Sequence, residues 1–116
     1  MKALLATIVI VSLLCGCVTT ENYAYKIIGS ASVLADSSMQ AWAEYVARGK
    51  ATPLQEISVR SVYTRYQAAM ATTKKAVMAY KAGQGTKSDL ESTADVLQSI
   101  AMDLSSNINL ILKPTP

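Results

Sequence analysis

Residues 88–112 read SDLESTADVLQSIAMDLSSNINLIL, and this stretch decides the fold. Leu90, Ala94, Leu97, Ile100, Ala101, Leu104, Ile108 and Ile111 recur at steps of three and four, with Ser, Asp, Gln and Asn between them. Side chains so spaced share one face of an α-helix, whereas a strand would alternate with period two. Ser88 and Glu91 form a capping-box pair, Asp89 suits the positive end of the helix dipole, and Thr86 is an alternative cap. Pro114 cannot continue the helix, so the sequence predicts one over 88–112.

The same logic extends upstream. Thr52, Pro53 and Gln55 form a helix start, with a cap, a preorganised first residue and a reciprocal partner. A stripe follows through Val59, Val62, Tyr63, Tyr66, Met70, Thr73, Val77 and Tyr80, and Gly83 closes it. This predicts a second helix over 53–82. A first helix is predicted over 20–48 from Tyr23, Ile27, Ala31, Leu34, Ala41, Trp42 and Tyr45, with Gly49 as the residue that ends it. Ser30, Ser37 and Ser38 interrupt that stripe, so this helix is expected to pack less tightly or to bend. Helices of 25 to 30 residues span ~38–45 Å. Short connections make sequential neighbours antiparallel. The expected fold is all-α, an up-down-up antiparallel three-helix bundle over 20–113 with a tail at 114–116. An open helical hairpin, its third side filled by another copy or a partner, is the alternative.

The first nineteen residues have a different character. Lys2 precedes twelve uncharged, mostly apolar residues, Ala3 to Leu14. A membrane-spanning helix needs roughly 20 such residues, so the run reads as a secretory signal. Leu14-Cys15-Gly16-Cys17 follows it directly. This resembles the lipobox of bacterial lipoproteins: Leu14 is the aliphatic residue three places before the acceptor, Gly16 the small residue next to it and Cys17 the acceptor. Cys15 departs from the usual pattern, where a small or β-branched residue is commoner. The resemblance covers residues 14 to 17 only. It implies a cleaved signal peptide over 1–16, a lipidated N-terminus and short tether over 17–19, diacylglycerol on the Cys17 sulfur and an acyl chain on its new amine. Val18, rather than Asp, after the acceptor favours the outer membrane, facing the periplasm. No other cofactor is expected. With Cys15 removed and Cys17 acylated, no free thiol or disulfide remains, and the domain must hold together by its core.

Charge is segregated along the chain. The sequence has 11 basic and 8 acidic residues, a weak excess. From Arg48 to Lys87 there are eight basic residues and one acid, Glu56; from Ser88 to Leu112 there are four acids and no base. In an antiparallel pair Lys74, Lys75 and Lys81 are expected opposite the Asp89–Asp95 end. Helix one begins close to Cys17, so the 82–87 turn should stand at the membrane end. Lys26, Lys81 and Lys87 are then candidates for contact with anionic headgroups, against the plainer reading of a solvated face. Nucleic acid is not an expected partner, because the chain reads as exported and its charge is nearly balanced.

Histidine is absent. That removes the usual general base, the commonest metal ligand and most Ser/His or Cys/His nucleophile systems. There is no Glu-x-x-His pair for a bundle metal site and no phosphate loop around Gly83-Gln84-Gly85. The chain is expected not to be an enzyme. Trp42, Tyr45, Tyr63 and Tyr66 fall at helical spacing beside the stripes. They either fill a core that lacks Phe or line a groove for a partner. Two function classes follow. One is a lipid-anchored binding or structural protein that escorts or stabilises an envelope component, by membrane anchor plus an envelope protein partner or self-association. Its general build is similar to that of pilotins, a likeness of architecture alone. The other is an exclusion lipoprotein of phage or plasmid type that blocks a receptor or transfer apparatus. A carrier of hydrophobic ligands is a third, and would need a sizeable cavity.

Overall fold

The computed structural model describes residues 19–113. Three α-helices make up this region: α1 (Thr20–Ala47), α2 (Pro53–Lys81) and α3 (Lys87–Leu112). They form an all-α three-helix bundle, as the stripes require.

Both turns are closed as their glycines suggest. After α1, the Gly49 N–H donates to the Val46 carbonyl and the Lys50 N–H to the Tyr45 carbonyl. After α2, Gly83 donates to Tyr80 and Gln84 to Ala79. Each is a Schellman closure, which needs a left-handed residue. Gly49 (φ 72°) and Gly83 (φ 74°) supply it. At the start of α2, Thr52 Oγ1 accepts from the Gln55 N–H at 3.1 Å and Gln55 Oε1 from the Thr52 N–H at 3.0 Å. The start of α3 differs from expectation. Thr86, not Ser88, is the cap: its extended backbone lets Oγ1 accept from the Asp89 N–H at 3.0 Å. Ser88 lies inside the first turn, and Glu91 points to Lys87 instead of closing a capping box.

The third helix is the centre of the packing. α1 and α2 each run along α3 and touch one another much less. Accordingly α3 contributes the most completely buried residues: Leu90, Ala94, Leu97, Ala101, Leu104 and Ile108. Their steps of four and three are those of a coiled-coil seam.

One expectation about α1 is corrected. Tyr23 is not in the apolar stripe; it is 39 % exposed, while the adjacent Ala24 is fully buried. The serines do not break the helix, which runs on from Thr20 to Ala47. Ser30 and Ser37 donate to the carbonyls of Lys26 and Leu34, and Ser38 is small enough to be buried in the seam. The face of α1 toward the core is made of small residues, Ala24, Ala31, Ala35 and Ser38, with Ile27 and Trp42. Small side chains let two helix axes approach, so α1 lies close to α3 rather than standing off.

The end of α2 lies opposite the start of α3 as expected, Thr73 standing level with Thr93, but among the described residues the opposite charges there do not pair. Lys74, Lys75 and Lys81 form no salt bridge with Asp89, Glu91 or Asp95. The salt bridge among the described residues is Lys87 to Glu91, 4.0 Å apart within α3. The side-chain hydrogen bonds that join α2 to α3 are between uncharged groups. Thr73 Oγ1, fully buried, donates to the carbonyls of Ala69 at 2.8 Å and Thr93 at 3.2 Å. Asn107 Nδ2 donates to Ser58 Oγ at 3.0 Å.

Candidate functional site

Leu14, Gly16 and Cys17 lie outside the described residues, which begin at Thr19. Thr19 caps α1 by accepting from the Asn22 N–H at 3.2 Å, so helix begins three positions after Cys17.

The beginning of α1, the end of α2 and the beginning of α3 meet at one end of the bundle. The Lys81 ammonium stands over the Tyr25 ring, 5.2 Å from its centroid. Tyr25, by hydrogen bond and by charge, holds Lys81 above the usual lysine value. Tyr23 donates to Asp95 Oδ1 at 2.7 Å, joining α1 to α3. That hydrogen bond raises the Tyr23 phenol above its ordinary value, helped by desolvation and by the charges of Asp95 and Glu91. Of the three lysines singled out in the sequence, Lys81 thus rests on an aromatic face, Lys87 sits beside Glu91, and Lys26 is exposed. All three share this end. Between α1 and α2 it carries a cleft of about 320 Å³ lined by Tyr25, Ile28, Lys74, Val77 and Met78. Sequence reasoning missed Tyr25 and Met78, which are off both core stripes yet exposed at 45 % and 70 %. A large apolar side chain outside the stripe is the signal that would have found them.

The four aromatics occupy the other half of the molecule. Trp42 stacks near Tyr45 (centroids 5.8 Å apart) and Tyr63 near Tyr66 (5.9 Å). Trp42 and Tyr63 line a cleft of about 280 Å³ between α1 and α2, with Met39, Val46, Val59 and Arg60. Tyr66 is buried beneath the same seam. Burial raises its phenol above the ordinary value; a hydrogen bond with Ser32 works against this, and the charge of Asp36 adds to it. Tyr45, stacked on Trp42, also lines a separate cleft with Ala41, Arg48 and Leu112. The structure therefore brings Trp42 and Tyr63 to one cleft, each with a stacked neighbour, Tyr45 and Tyr66, that stays outside its lining. Trp42 is 8 % exposed, so its ring is mostly core and only its edge lines the cleft.

Among the described residues there is no group of three or more His, Cys, Asp or Glu that could hold a metal ion. No described helix is long and apolar enough to cross a membrane. The class that fold and surface define is a three-helix bundle with a cationic, aromatic end next to its N-terminus. No protein-family model matches the chain, and no curated protein or solved structure proves similar to it.

Proposed function

We propose that this protein is a lipid-anchored helical protein of the bacterial envelope, held at the outer membrane and facing the periplasm, that escorts or stabilises an envelope component without catalysing a reaction. The observation that carries this reading is Leu14-Cys15-Gly16-Cys17 placed three residues before a capped helix. A lipid on Cys17 would leave almost no tether, so the bundle end bearing Tyr25, Met78, Lys26, Lys81 and Lys87 would stand at the bilayer. Stable anchoring needs more than one acyl chain, and a triacylated cysteine has three. The exposed aromatic and thioether side chains suit the headgroup boundary, and each lysine near an anionic surface adds up to about 1 kcal/mol. The clefts lie along helix seams while the centre is filled by leucines, which supports a partner-binding surface over an enclosed ligand carrier.

The test is mass spectrometry of the mature N-terminal peptide after growth with a traceable fatty acid. The expected result is a chain beginning at acylated Cys17, with the label lost in Cys17→Ser. A mature chain starting elsewhere and carrying no acyl group would overturn the anchor. Crosslinking in cells would then identify the component: one abundant envelope protein supports escort, and its absence removes it.

A further inference from the structure

The outer surface of the α2–α3 pair, on the side away from α1, carries opposite charges that the bundle does not pair. On α2, Arg65 and Lys75 are exposed beside Ser61 and Ala68; on α3, Asp89 and Asp103 are exposed beside Ser92 and Ser99. These α3 positions share the stripe of Val96, seven residues from each aspartate, which is one face of a helix. Arg65 and Val96 also line a shallow groove of about 330 Å³ between the two helices. Glu91 and Asp95 are engaged elsewhere, with Lys87 and Tyr23. The same surface leaves large apolar side chains in water: Ile57 is 61 % exposed and Leu110 77 %.

We infer that this face binds a second copy of the chain, as a twofold dimer whose axis runs parallel to the helices. Such an axis places α2 of one copy over α3 of the other, antiparallel, and does so twice, as an isologous interface requires. It also keeps residues of equal height opposite one another. The intramolecular bonds fix those heights: Ser58 is level with Asn107, and Thr73 with Thr93. Arg65 then stands within about three residues, or ~4 Å of axial rise, of Asp103 across the interface. Lys75 stands equally close in height to Asp89, and Ile57 to Leu110. The four charges and two apolar pairs are therefore matched in sign, face and level. The small residues between them let the helices approach. A face two helices wide and about 39 Å long offers roughly 800 Å² per copy, near 1,600 Å² in all, the size of a stable specific interface. Both N-termini leave the dimer at the same end, so two anchored copies could share one membrane, although the interface itself does not depend on the lipid.

The full chain in detergent micelles, under reductant, tests this by sedimentation. The expected species is a dimer that weakens with salt. Arg65→Asp/Lys75→Asp and Asp89→Lys/Asp103→Arg should each weaken self-association at least about tenfold, since four reversed pairs repel. Mixed in equal amounts, the two variants should form a heterodimer, because each then meets its complement; that outcome also shows both remain folded. A wild-type chain that stays monomeric, or a dimer indifferent to both reversals, would overturn the inference. So would variants that fail to pair when mixed while their far-ultraviolet helix signal is intact.

Discussion

Thr73 shows how one residue ties local chemistry to register. Its hydroxyl is buried, so it needs a partner, and it finds two: the Ala69 carbonyl within α2 and the Thr93 carbonyl on α3. Thr73→Val keeps the shape and removes the bond, and should cost about 0.5–1.5 kcal/mol in denaturant unfolding. Leu97, fully buried at the middle of α3, is a different case, because truncation leaves a cavity between three helices. Leu97→Ala should cost about 2–5 kcal/mol by the same measurement. Trp42 is a spectroscopic reporter of its own surroundings. At 8 % exposure its emission should be blue-shifted and poorly quenched by acrylamide; a red-shifted, freely quenched signal would place the ring in an open groove instead.

At the scale of the element, punctuation and stripe carry most of the information. Thr52-Pro53-Gln55, Gly49 and Gly83 each name their structural role from sequence because capping is local: the donor and acceptor are three or four residues apart. Gly83→Ala forces a side chain into a left-handed turn, so a loss of about 1 kcal/mol or more in melting experiments is expected. The start of α3 was less legible. Thr86 and Ser88 both offer a hydroxyl, and only the path of the chain out of the Gly83 turn decides which one is extended. The helix facing α3, α1, was legible in existence but not in detail. Ala24 and Tyr23 both fit a helical stripe, and side-chain size favours the tyrosine; proximity to α3 favours the alanine. Ala31→Leu tests this. Overpacking of the α1–α3 seam should destabilise the fold by about 1–3 kcal/mol, although leucine is the better residue on a stripe read in isolation.

Taken as a whole molecule, the bundle has a pH response set by its phenols and Lys81. Tyr23 and Tyr66 are raised above the ordinary phenol value, Tyr23 mainly by its bond to Asp95 and Tyr66 mainly by burial. A raised phenol favours the protonated form in the folded state. Its stabilisation is therefore fully present below about pH 10, where the unfolded phenol ionises, and is lost as pH rises through the folded value. Lys81, raised by Tyr25, acts in the same direction. The melting temperature should fall on the alkaline side of pH 10, and less steeply in Tyr23→Phe. Identical slopes for the variant and the parent would remove Tyr23 from this account. Charge reversal of Lys26, Lys81 and Lys87 should change how the full chain orients on anionic vesicles, measured by quenching of Trp42 with lipid-borne quenchers; an unchanged orientation would leave those lysines as a solvated face.

The number of helices, their ends to within a residue or two and the core stripe of α3 follow from the order of the amino acids alone. These depend on interactions between residues a few positions apart. Packing of the three helices settles what that order leaves open: α3 is central, and α1 presents alanines rather than Tyr23. It also decided that the opposite charges of α2 and α3 face outward rather than toward each other. Each of these depends on the rotation of a helix about its own axis. A shift of one residue turns a side chain through about 100° at nearly constant hydrophobicity, and the choice is made by which surfaces fit when three helices close together.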